Sequence, residues 1–243
     1  MMKDFVVDAH SHTIASGHAY GTIREMALGA KENGIKLLGI TEHGQGIPAT
    51  CPDIYMRNLK ATAPEVLFGV EMLYGIEANI MNDGTINTDE KVLKTLDYAI
   101  AGIHMLCYKD EGIEKNTDNV ISAMKNPKVY FISHPDDDHT PLNYERLVAA
   151  AKQYHVALEV NSSSFRKQHS RLNCVENYRK MCALCKDMGV YIVVNSDAHD
   201  PNYVGHQKEA REFLEEISFP EELILNNDVD KFKEFINFNK ETL

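Results

Sequence analysis

The sequence has no tryptophan, only five cysteines and no long apolar run. Because a membrane-spanning helix needs about 18 or more consecutive apolar residues, we predict no membrane segment. The start of the chain, residues 1–7, lacks the apolar stretch of a secretion signal, so we expect a cytoplasmic protein. An odd number of irregularly spaced cysteines in that compartment indicates reduced thiols and not a disulfide framework.

Basic residues are too few to offset the acidic ones. The chain has 25 lysines and arginines against 36 aspartates and glutamates, a net charge of −11 at pH 7. A surface of this sign repels the phosphate backbone of nucleic acid, so we expect no nucleic-acid partner. A small anionic substrate remains compatible with this charge, since bound cations can invert the field inside one pocket. The charge therefore favours a small-molecule partner.

Short apolar runs that are typical of buried strands alternate with amphipathic helical runs along all 243 residues. The predicted strands are Phe5–Asp8, Lys36–Ile40, Met72–Ile76, Ala99–Ile103, Val129–Ser133, Ala157–Val160 and Val190–Val194. The predicted helices are 22–32, 117–125, 143–154, 175–188, 207–217 and 229–238. No repeat or linker interrupts this alternation, which predicts one α/β domain, residues 1–243, with a parallel sheet. About seven strand–helix units favour a closed or nearly closed barrel, with an open doubly wound sheet as the alternative.

Polar residues with metal-binding side chains recur at or just past the carboxyl ends of these strands. They are Asp8, His10, His12, Glu42, His43, Glu77, His104, His134, Asn161, Asp197 and His199. In a parallel barrel these ends open on one face, where catalytic residues gather. The spacings His10-x-His12 and Asp197-x-His199 each put two side chains on one side of an extended segment. Because such a cluster is costly to desolvate without a cation, it predicts a metal site at this face.

The order of these motifs resembles the PHP (polymerase and histidinol phosphatase) superfamily, over nearly the whole chain. The motifs that carry the resemblance are Asp8–His12, Thr41–Gly44, Gly75–Glu77, His104, Ser133–Pro135 and Ser196–His199. Three further segments are similar to the YcdX-like phosphatase branch of that superfamily, namely Gly17–Tyr20, Gly75–Ile80 and Leu158–Phe165.

The resemblance implies a distorted seven-stranded (βα)7 barrel, similar to a TIM barrel, with three divalent metal ions at the carboxyl-terminal ends of the strands. Zinc is the expected metal, and manganese or iron also suits imidazole and carboxylate ligands. The implied ligands are His10, His12, Glu77 and Asp197 for one ion; Glu77, His104 and His134 for a second; and His18, His43 and His199 for the third. Position alone leaves His18, in the loop after the first strand, open between a ligand and an ordinary polar residue. The resemblance also implies a homo-oligomer, a trimer.

The implied activity is that of a phosphatase acting on phosphate monoesters of a small metabolite. Our hypothesis is that a hydroxide bridging the metal ions attacks phosphorus, because metal binding brings the pKa of water to roughly 7. A histidinol-phosphate phosphatase, a 3′–5′ exonuclease-type phosphodiesterase and a metal-binding module without turnover remain as alternatives. Candidate substrate contacts are Arg57, Asn161, Ser164, Arg166 and Lys167, although the charged ones are equally consistent with ordinary solvated side chains.

Overall fold

Seven parallel strands form one curved sheet in the computed structural model, which describes residues 2–242. The strands are β1 Val7–Asp8, β2 Leu37–His43, β3 Val66–Leu67, β4 Val70–Asn79, β5 Ala99–Gly102, β6 Val129–Ile132, β7 Ala157–Asn161 and β8 Ile192–Asn195. The parallel order is β1-β2-β4-β5-β6-β7-β8, and β3 adds to β4 in the antiparallel direction. The predicted seven-stranded barrel is therefore confirmed, and the short strand β3 is an addition that the sequence pattern did not predict.

Side-chain amides complete the barrel where β1 meets β8. The Nδ2 atom of Asn226 and the Nε2 atom of Gln207 both donate to the carbonyl oxygens of Val7 and Val194. Both amide residues are buried, at 0% and 3% exposure. They satisfy backbone carbonyls that would otherwise lack partners in the core. The ring is thus nearly closed, without a continuous β1–β8 ladder.

Most of the helices lie in the connections between strands, and the last two follow β8. They are α1 Ile23–Glu32, α2 Asp53–Thr62, α3 Glu90–Leu93, α4 Ile113–Met124, α5 Tyr144–Gln153, α6 Ser162–Arg166, α7 Cys174–Met188, α8 Lys208–Glu216 and α9 Val229–Ile236. Local sequence explains their limits. A capping box between Thr22 and Glu25 starts α1, and Gly189, with a left-handed φ of 67°, ends α7.

An aromatic cluster fills the barrel at the amino-terminal ends of the strands. Phe131 lies between Tyr98 and Phe232, with ring centroids 5.4 Å away in each case. The hydroxyl of Tyr98 donates to the carbonyl oxygen of Ala9 at 2.6 Å, so its one polar atom is satisfied. Helix α9, which carries Phe232, packs on this end of the barrel. The apolar end is therefore sealed, and the polar end remains open.

All six predicted helices are present, with bounds shifted by a few residues. Helices α2, α3 and α6 were not predicted. In α2 the side chains of Met56 and Leu59 are buried but Ile54 is exposed, so the apolar stripe is narrow. Within residues 2–242 no helix combines the length and apolar character that crossing a membrane requires.

The end of the chain is held by one buried lysine. Lys240 Nζ donates to the carbonyl oxygens of Met124, Asn126 and Val129 at 3.0, 3.3 and 2.6 Å. We expect Lys240→Ala to lower the free energy of unfolding by about 1–3 kcal/mol, since buried acceptors lose their donor. Chemical denaturation measures this, with Lys208→Ala, a 75% exposed side chain, as the control. Equal stability of the two variants would contradict the anchoring role.

Candidate metal centre

One cleft of about 340 Å³ at the carboxyl ends of the strands collects most of the predicted metal ligands. Those that line it are His18, His43, Glu77, His104, His134, Asp197 and His199. His10 and His12 are fully buried, with 0% exposure, and contact this set from inside the barrel. All nine residues of the implied ligand set therefore lie together.

Sheet register places Glu77 at the middle of this cluster. On β2 and β4, His43 is paired directly with Glu77, so the two side chains point to the same face of the sheet. The two carboxylate oxygens of Glu77 lie 2.9–3.4 Å from the ring nitrogens of His10, His12, His43, His104 and His134. A single carboxylate is thus shared by five imidazoles from four segments of the chain. Such sharing is typical of a carboxylate that bridges two metal ions.

Hydrogen bonds formed by their Nδ1 atoms orient the two buried imidazoles, His10 and His12. His10 Nδ1 donates to Glu159 Oε1 at 2.8 Å, and His12 Nδ1 donates to Ser16 Oγ at 3.1 Å. Ser16 Oγ in turn donates to a carboxylate oxygen of Glu42. Glu42 thus holds the loop after β1 and is not part of the ligand cluster. Each imidazole therefore turns its Nε2 atom toward the centre, and these two atoms lie 3.1 Å apart. Their lone pairs face each other unless a proton or a metal ion lies between them.

The segments after β1 and β8 bring in the rest of the cluster. Ser11 and Ala198 form a parallel bridge, which places the histidines of the first loop beside Asp197 and His199. Asp197 Oδ1 lies 3.4 Å from His12 Nε2. His199 Nδ1 donates to the carbonyl oxygen of Asp197 at 3.1 Å, and its Nε2 lies 3.1 Å from His18 Nε2. His18, which position alone left open, is therefore a member of the cluster.

Two of the clustered residues have unusual backbone conformations. His134, after β6, has a φ of 31°, and Asp197, after β8, has a φ of 51°. This left-handed region is unfavourable for residues with a Cβ atom, and such strain is concentrated at functional sites. Both turns direct their side chains into the cleft. The unfavourable backbone conformation of these two residues places their side chains in the cleft, at a cost in stability.

Burial and neighbouring charges set the protonation states of the cluster. Burial alone raises the pKa of Glu77, but the neighbouring imidazoles, led by His10, hold that pKa well below its usual value. Burial, followed by the nearby Arg171 guanidinium, lowers the pKa of His134 to about 4. Burial also lowers the pKa of His12, together with the surrounding imidazoles. The Glu77 carboxylate is thus ionised and these imidazoles are neutral, as metal ligands must be.

His10 titrates in the opposite direction. Burial lowers its pKa, but the carboxylates of Glu77, Glu159 and Asp197 more than offset this and raise the pKa well above its usual value. These three carboxylates therefore favour a positive charge at this point in the barrel. Either a proton or a metal ion can supply that charge.

The residues present fit a group of divalent metal ions. Three sets of side chains each bring ligand atoms within 4.8 Å of one another: His10, His12 and Glu77; His12, His43 and His199; and His43, Glu77 and His104. Two nitrogens bound to one tetrahedral zinc ion, each at about 2.0–2.1 Å, lie roughly 3.3–3.4 Å apart. The facing Nε2 atoms, 3.1 Å apart in both pairs, are close to this spacing.

Unpaired polar atoms support the same interpretation. Among the described residues, the buried atoms His43 Nδ1 and Glu77 Oε2 form no hydrogen bond. His43 Nδ1 is only 2.9 Å from Glu77 Oε2, yet the two atoms are not aligned for a hydrogen bond. Buried polar atoms without partners are rare and costly in native proteins. A metal ion would satisfy them.

The predicted substrate contacts occupy different environments. Lys167 lines the cleft, and Arg166 lies beside it on α6, paired with Glu209 at 3.0 Å. Asn161 and Ser164 are buried: the first donates to Asp197 Oδ2 at 3.1 Å, and the second lies 3.5 Å from the hydroxyl of Tyr178. Arg57 lies exposed on α2, and it is absent from the lining of this cleft.

Two residues of the site were not predicted. Arg171 lines the cleft and donates to His134 Nδ1 at 3.1 Å. Glu159, fully buried on β7, accepts from His10, from the backbone N–H of His134 and from Asn195. An acidic residue inside an otherwise apolar strand was the available signal for Glu159. The irregular loop that carries Arg171 gives no comparable pattern.

We expect Glu159→Gln to weaken metal binding by about 10–100-fold, the usual effect of removing a carboxylate behind a ligand histidine. An amide oxygen can still accept from His10, but it lacks the charge that favours a cation. Titration with a competing chelator measures the affinity. Glu176→Gln, an exposed change on α7, is the control. Unchanged affinity in Glu159→Gln would contradict the orienting role.

Fold and site together define a class: barrel proteins with a histidine and carboxylate cluster, suited to divalent metal ions, at the carboxyl-terminal mouth. The chain belongs to the PHP domain family, whose model matches residues 8–238. The resemblance seen in the sequence is thereby confirmed.

Relatives cover almost the full chain. A protein of Acetivibrio thermocellus named probable phosphatase is 42% identical over 241 residues, which are 98% of each chain. Another probable phosphatase, from Caldanaerobacter subterraneus subsp. tengcongensis, is 43% identical over 242 residues, covering 97% of this chain and 92% of that protein.

Two solved structures share the fold at low sequence identity. A histidinol phosphate phosphatase from Lactococcus lactis subsp. lactis Il1403, complexed with zinc, L-histidinol and phosphate, gives a TM-score of 0.62 at 15% identity, covering 88% of this chain and 94% of that one. A chain from archaeal ribonuclease P with mature tRNA gives a TM-score of 0.60 at 14% identity, covering 98% and 92%. These likenesses concern the fold, and the two proteins have different functions, so the function of this chain must be argued from its site.

Proposed function

We propose that this protein is a metal-dependent phosphatase that hydrolyses phosphate monoesters of a small metabolite. The observation that carries the proposal is the shared carboxylate of Glu77, surrounded by five imidazoles in an open cleft. The names of the full-length relatives support the choice of phosphate esters over other hydrolysable bonds. The reaction consumes one water: a P–O bond forms to its oxygen, the P–O bond to the alcohol breaks, and a proton passes to the alcohol oxygen.

Three divalent ions are the proposed cofactor, with zinc as the first choice. His10, His12, Glu77 and Asp197 would hold one ion; Glu77, His104 and His134 a second; and His18, His43 and His199 the third. When bound, such ions supply Lewis acidity and neutralise negative charge on the phosphoryl oxygens. The chain itself contributes the spacing of the ligands and their orientation by Glu159 and Ser16.

Cationic side chains of this chain would bind the phosphoryl group from the side of the cleft. Arg171 lines the cleft with a side chain that is 22% exposed, and it is held there by His134 and by Asp136, 3.5 Å away. A guanidinium can contact two phosphate oxygens at once. Lys167 lines the same cleft as a second cation. In a chain with a net charge of −11, these two residues make the pocket locally attractive to an anion.

Turnover of matched esters tests the proposal. Protein with a measured content of Zn²⁺ or Mn²⁺ is supplied with p-nitrophenyl phosphate and with bis(p-nitrophenyl) phosphate, a diester with the same leaving group. We expect faster hydrolysis of the monoester, by about tenfold or more, which is about 1.4 kcal/mol of transition-state preference. No monoester turnover by metal-loaded protein, or a preference for the diester or for single-stranded DNA, would contradict the proposal.

We expect Arg171→Gln to lower kcat/KM for the monoester by about 10–100-fold, since hydrogen bonds to charged groups contribute about 1.5–3 kcal/mol. Steady-state kinetics at fixed metal content measure this. Arg179→Gln is the matched control, because Arg179 is an exposed arginine of α7 that pairs with Glu216. Equal activity of both variants would show that Arg171 does not contact the substrate.

A further inference from the structure

A second cleft, of about 840 Å³, adjoins the metal-ligand cleft. Lys167, Asp197 and His199 line both of them. A molecule whose phosphate lies among the metal ligands is therefore adjacent to the second cleft. The volume is within the range of small-molecule sites, about 300–1,000 Å³. Of the proposed metal ligands, Asp197 and His199 reach the second cleft at its border with the first, so most of the second cleft is available for the rest of the substrate.

Two exposed tyrosines dominate the lining of the second cleft. Tyr20 is 76% exposed and Tyr203 is 49% exposed. Both are fixed close to the metal ligands by the backbone: the N–H of Tyr20 donates to the carbonyl oxygen of His199 at 2.8 Å, and that of Tyr203 donates to Asp200 at 2.9 Å. Aromatic rings exposed on a rigid frame beside a site provide contact area at low entropic cost.

The two tyrosine loops are packed against each other. A Cβ atom at Gly21 would come within 2.6 Å of Pro201 Cγ, so the loop that carries Tyr20 touches the turn that carries Tyr203. This contact keeps the rings of Tyr20 and Tyr203 on the same side of the second cleft. The rings therefore form a preformed surface, and a ligand need not order two independent loops to use it.

The charged groups around the rings already have partners within the protein. Arg166 pairs with Glu209 at 3.0 Å, and its guanidinium carbon lies 5.5 Å from the Tyr203 ring centroid. The carboxylate of Asp200 accepts from the backbone and side chain of Asn202, at 2.9 and 2.7 Å. In residues 2–242, Lys167 is in no ion pair, and it lies where the two clefts meet. The cation is thus near the phosphate position, and the aromatic surface lies beyond it.

We infer that the second cleft binds the alcohol portion of the substrate, and that this portion carries a planar ring that stacks on Tyr20 or Tyr203. The inference rests on the proposed phosphatase function. A compact polyol would leave both tyrosine rings exposed to water. A strongly anionic group would meet the carboxylates of Asp197 and Asp200. A flat, largely uncharged ring buries aromatic surface without opposing either charge.

A matched pair of substrates isolates the ring. Adenosine 5′-monophosphate and ribose 5-phosphate carry the same phosphate ester on the same carbon, and only the first has a base. We expect kcat/KM to be about tenfold or more higher for the nucleotide, since stacking of a base on an aromatic side chain typically has effects of this size. Metal content is measured in each sample, so that the comparison is made at equal loading.

A double variant tests the two tyrosines. Tyr20→Ala combined with Tyr203→Ala is expected to remove the preference for the nucleotide and to leave turnover of ribose 5-phosphate within about twofold. Tyr20→Phe combined with Tyr203→Phe is the matched control and keeps the preference, because it keeps both rings. Saturation-transfer NMR with adenosine and metal-free protein gives a readout without turnover: the signal is expected in wild type and is lost in the alanine variant.

The outcomes separate this inference from the function on which it rests. Equal turnover of the two esters by wild type, or a nucleotide preference that survives in the alanine variant, overturns the ring-binding role and leaves the phosphatase function standing. If metal-loaded protein hydrolyses neither these esters nor p-nitrophenyl phosphate, the phosphatase function fails and the inference fails with it.

Discussion

Replacing Glu77 with glutamine is expected to lower phosphatase turnover by about 1,000-fold or more. The carboxylate is 0% exposed and faces five imidazole nitrogens within 3.4 Å. A neutral amide has the same shape but cannot bridge two cations, and loss of several kcal/mol of metal-dependent stabilisation gives a rate effect of about this size. Bound metal and turnover of p-nitrophenyl phosphate are measured on the same preparation.

Glu71→Gln is the matched control for this variant. Glu71 lies on the same strand, β4, but its side chain is 47% exposed and pairs with Lys233 near the opposite end of that strand. The control is expected to keep wild-type metal content and turnover. Retained metal with unchanged turnover in Glu77→Gln would contradict the bridging role. If Glu71→Gln also lost metal and turnover, the cause would be a general defect in β4.

Removal of divalent ions by a chelator is expected to abolish turnover and to lower thermal stability. Binding at 1,000 times the dissociation constant stabilises the native state by about 4 kcal/mol. For a chain of this length each kcal/mol changes Tm by about 2–4 °C, so we expect Tm to fall by roughly 10 °C. The physical reason is that the emptied cluster retains buried imidazoles and carboxylates that lose their common partner. Calorimetry with and without chelator measures the change.

Restoration by Zn²⁺ is the control for chelation. Added Zn²⁺ is expected to recover both Tm and turnover in wild type, and to recover Tm less fully in Glu77→Gln. Activity that persists in protein shown to be metal-free would contradict the metal-dependent mechanism. A Tm that is insensitive to both chelator and Zn²⁺ would contradict the binding site itself.

The sequence pattern was sufficient for a parallel α/β fold with polar ligands gathered at one face, because both depend on periodic features. The resemblance to a known family favoured the closed barrel over an open sheet and added His18 to the ligand set. Strands buried on both faces have near-continuous apolar runs, and their carboxyl ends meet on one side whatever the details of packing. His43 and Glu77 were expected just past the ends of their strands. Both strands are longer than predicted, so the two residues lie within the last few residues of β2 and β4, yet both side chains still line the cleft.

Features that depend on three-dimensional neighbours were beyond the sequence pattern. Glu159 acts through His10, which is remote in sequence; its place in an apolar strand marks it as a buried acid, but nothing local identifies its partner. Arg171 is positioned by contacts with His134 and Asp136 across loops. The second cleft likewise needs two loops about 180 residues apart to touch, as Gly21 and Pro201 do. Arginine and tyrosine are common at surfaces, so their role becomes visible only with their neighbours.

Anomalous diffraction from crystals of the zinc-loaded protein locates the bound metal without reference to turnover. We predict three zinc peaks inside the cleft at the carboxyl ends of the strands, two of them within bonding distance of Glu77 and one beside His18. Peaks confined to the protein surface, or a cleft without any zinc in protein that carries the metal, would contradict the proposed metal centre.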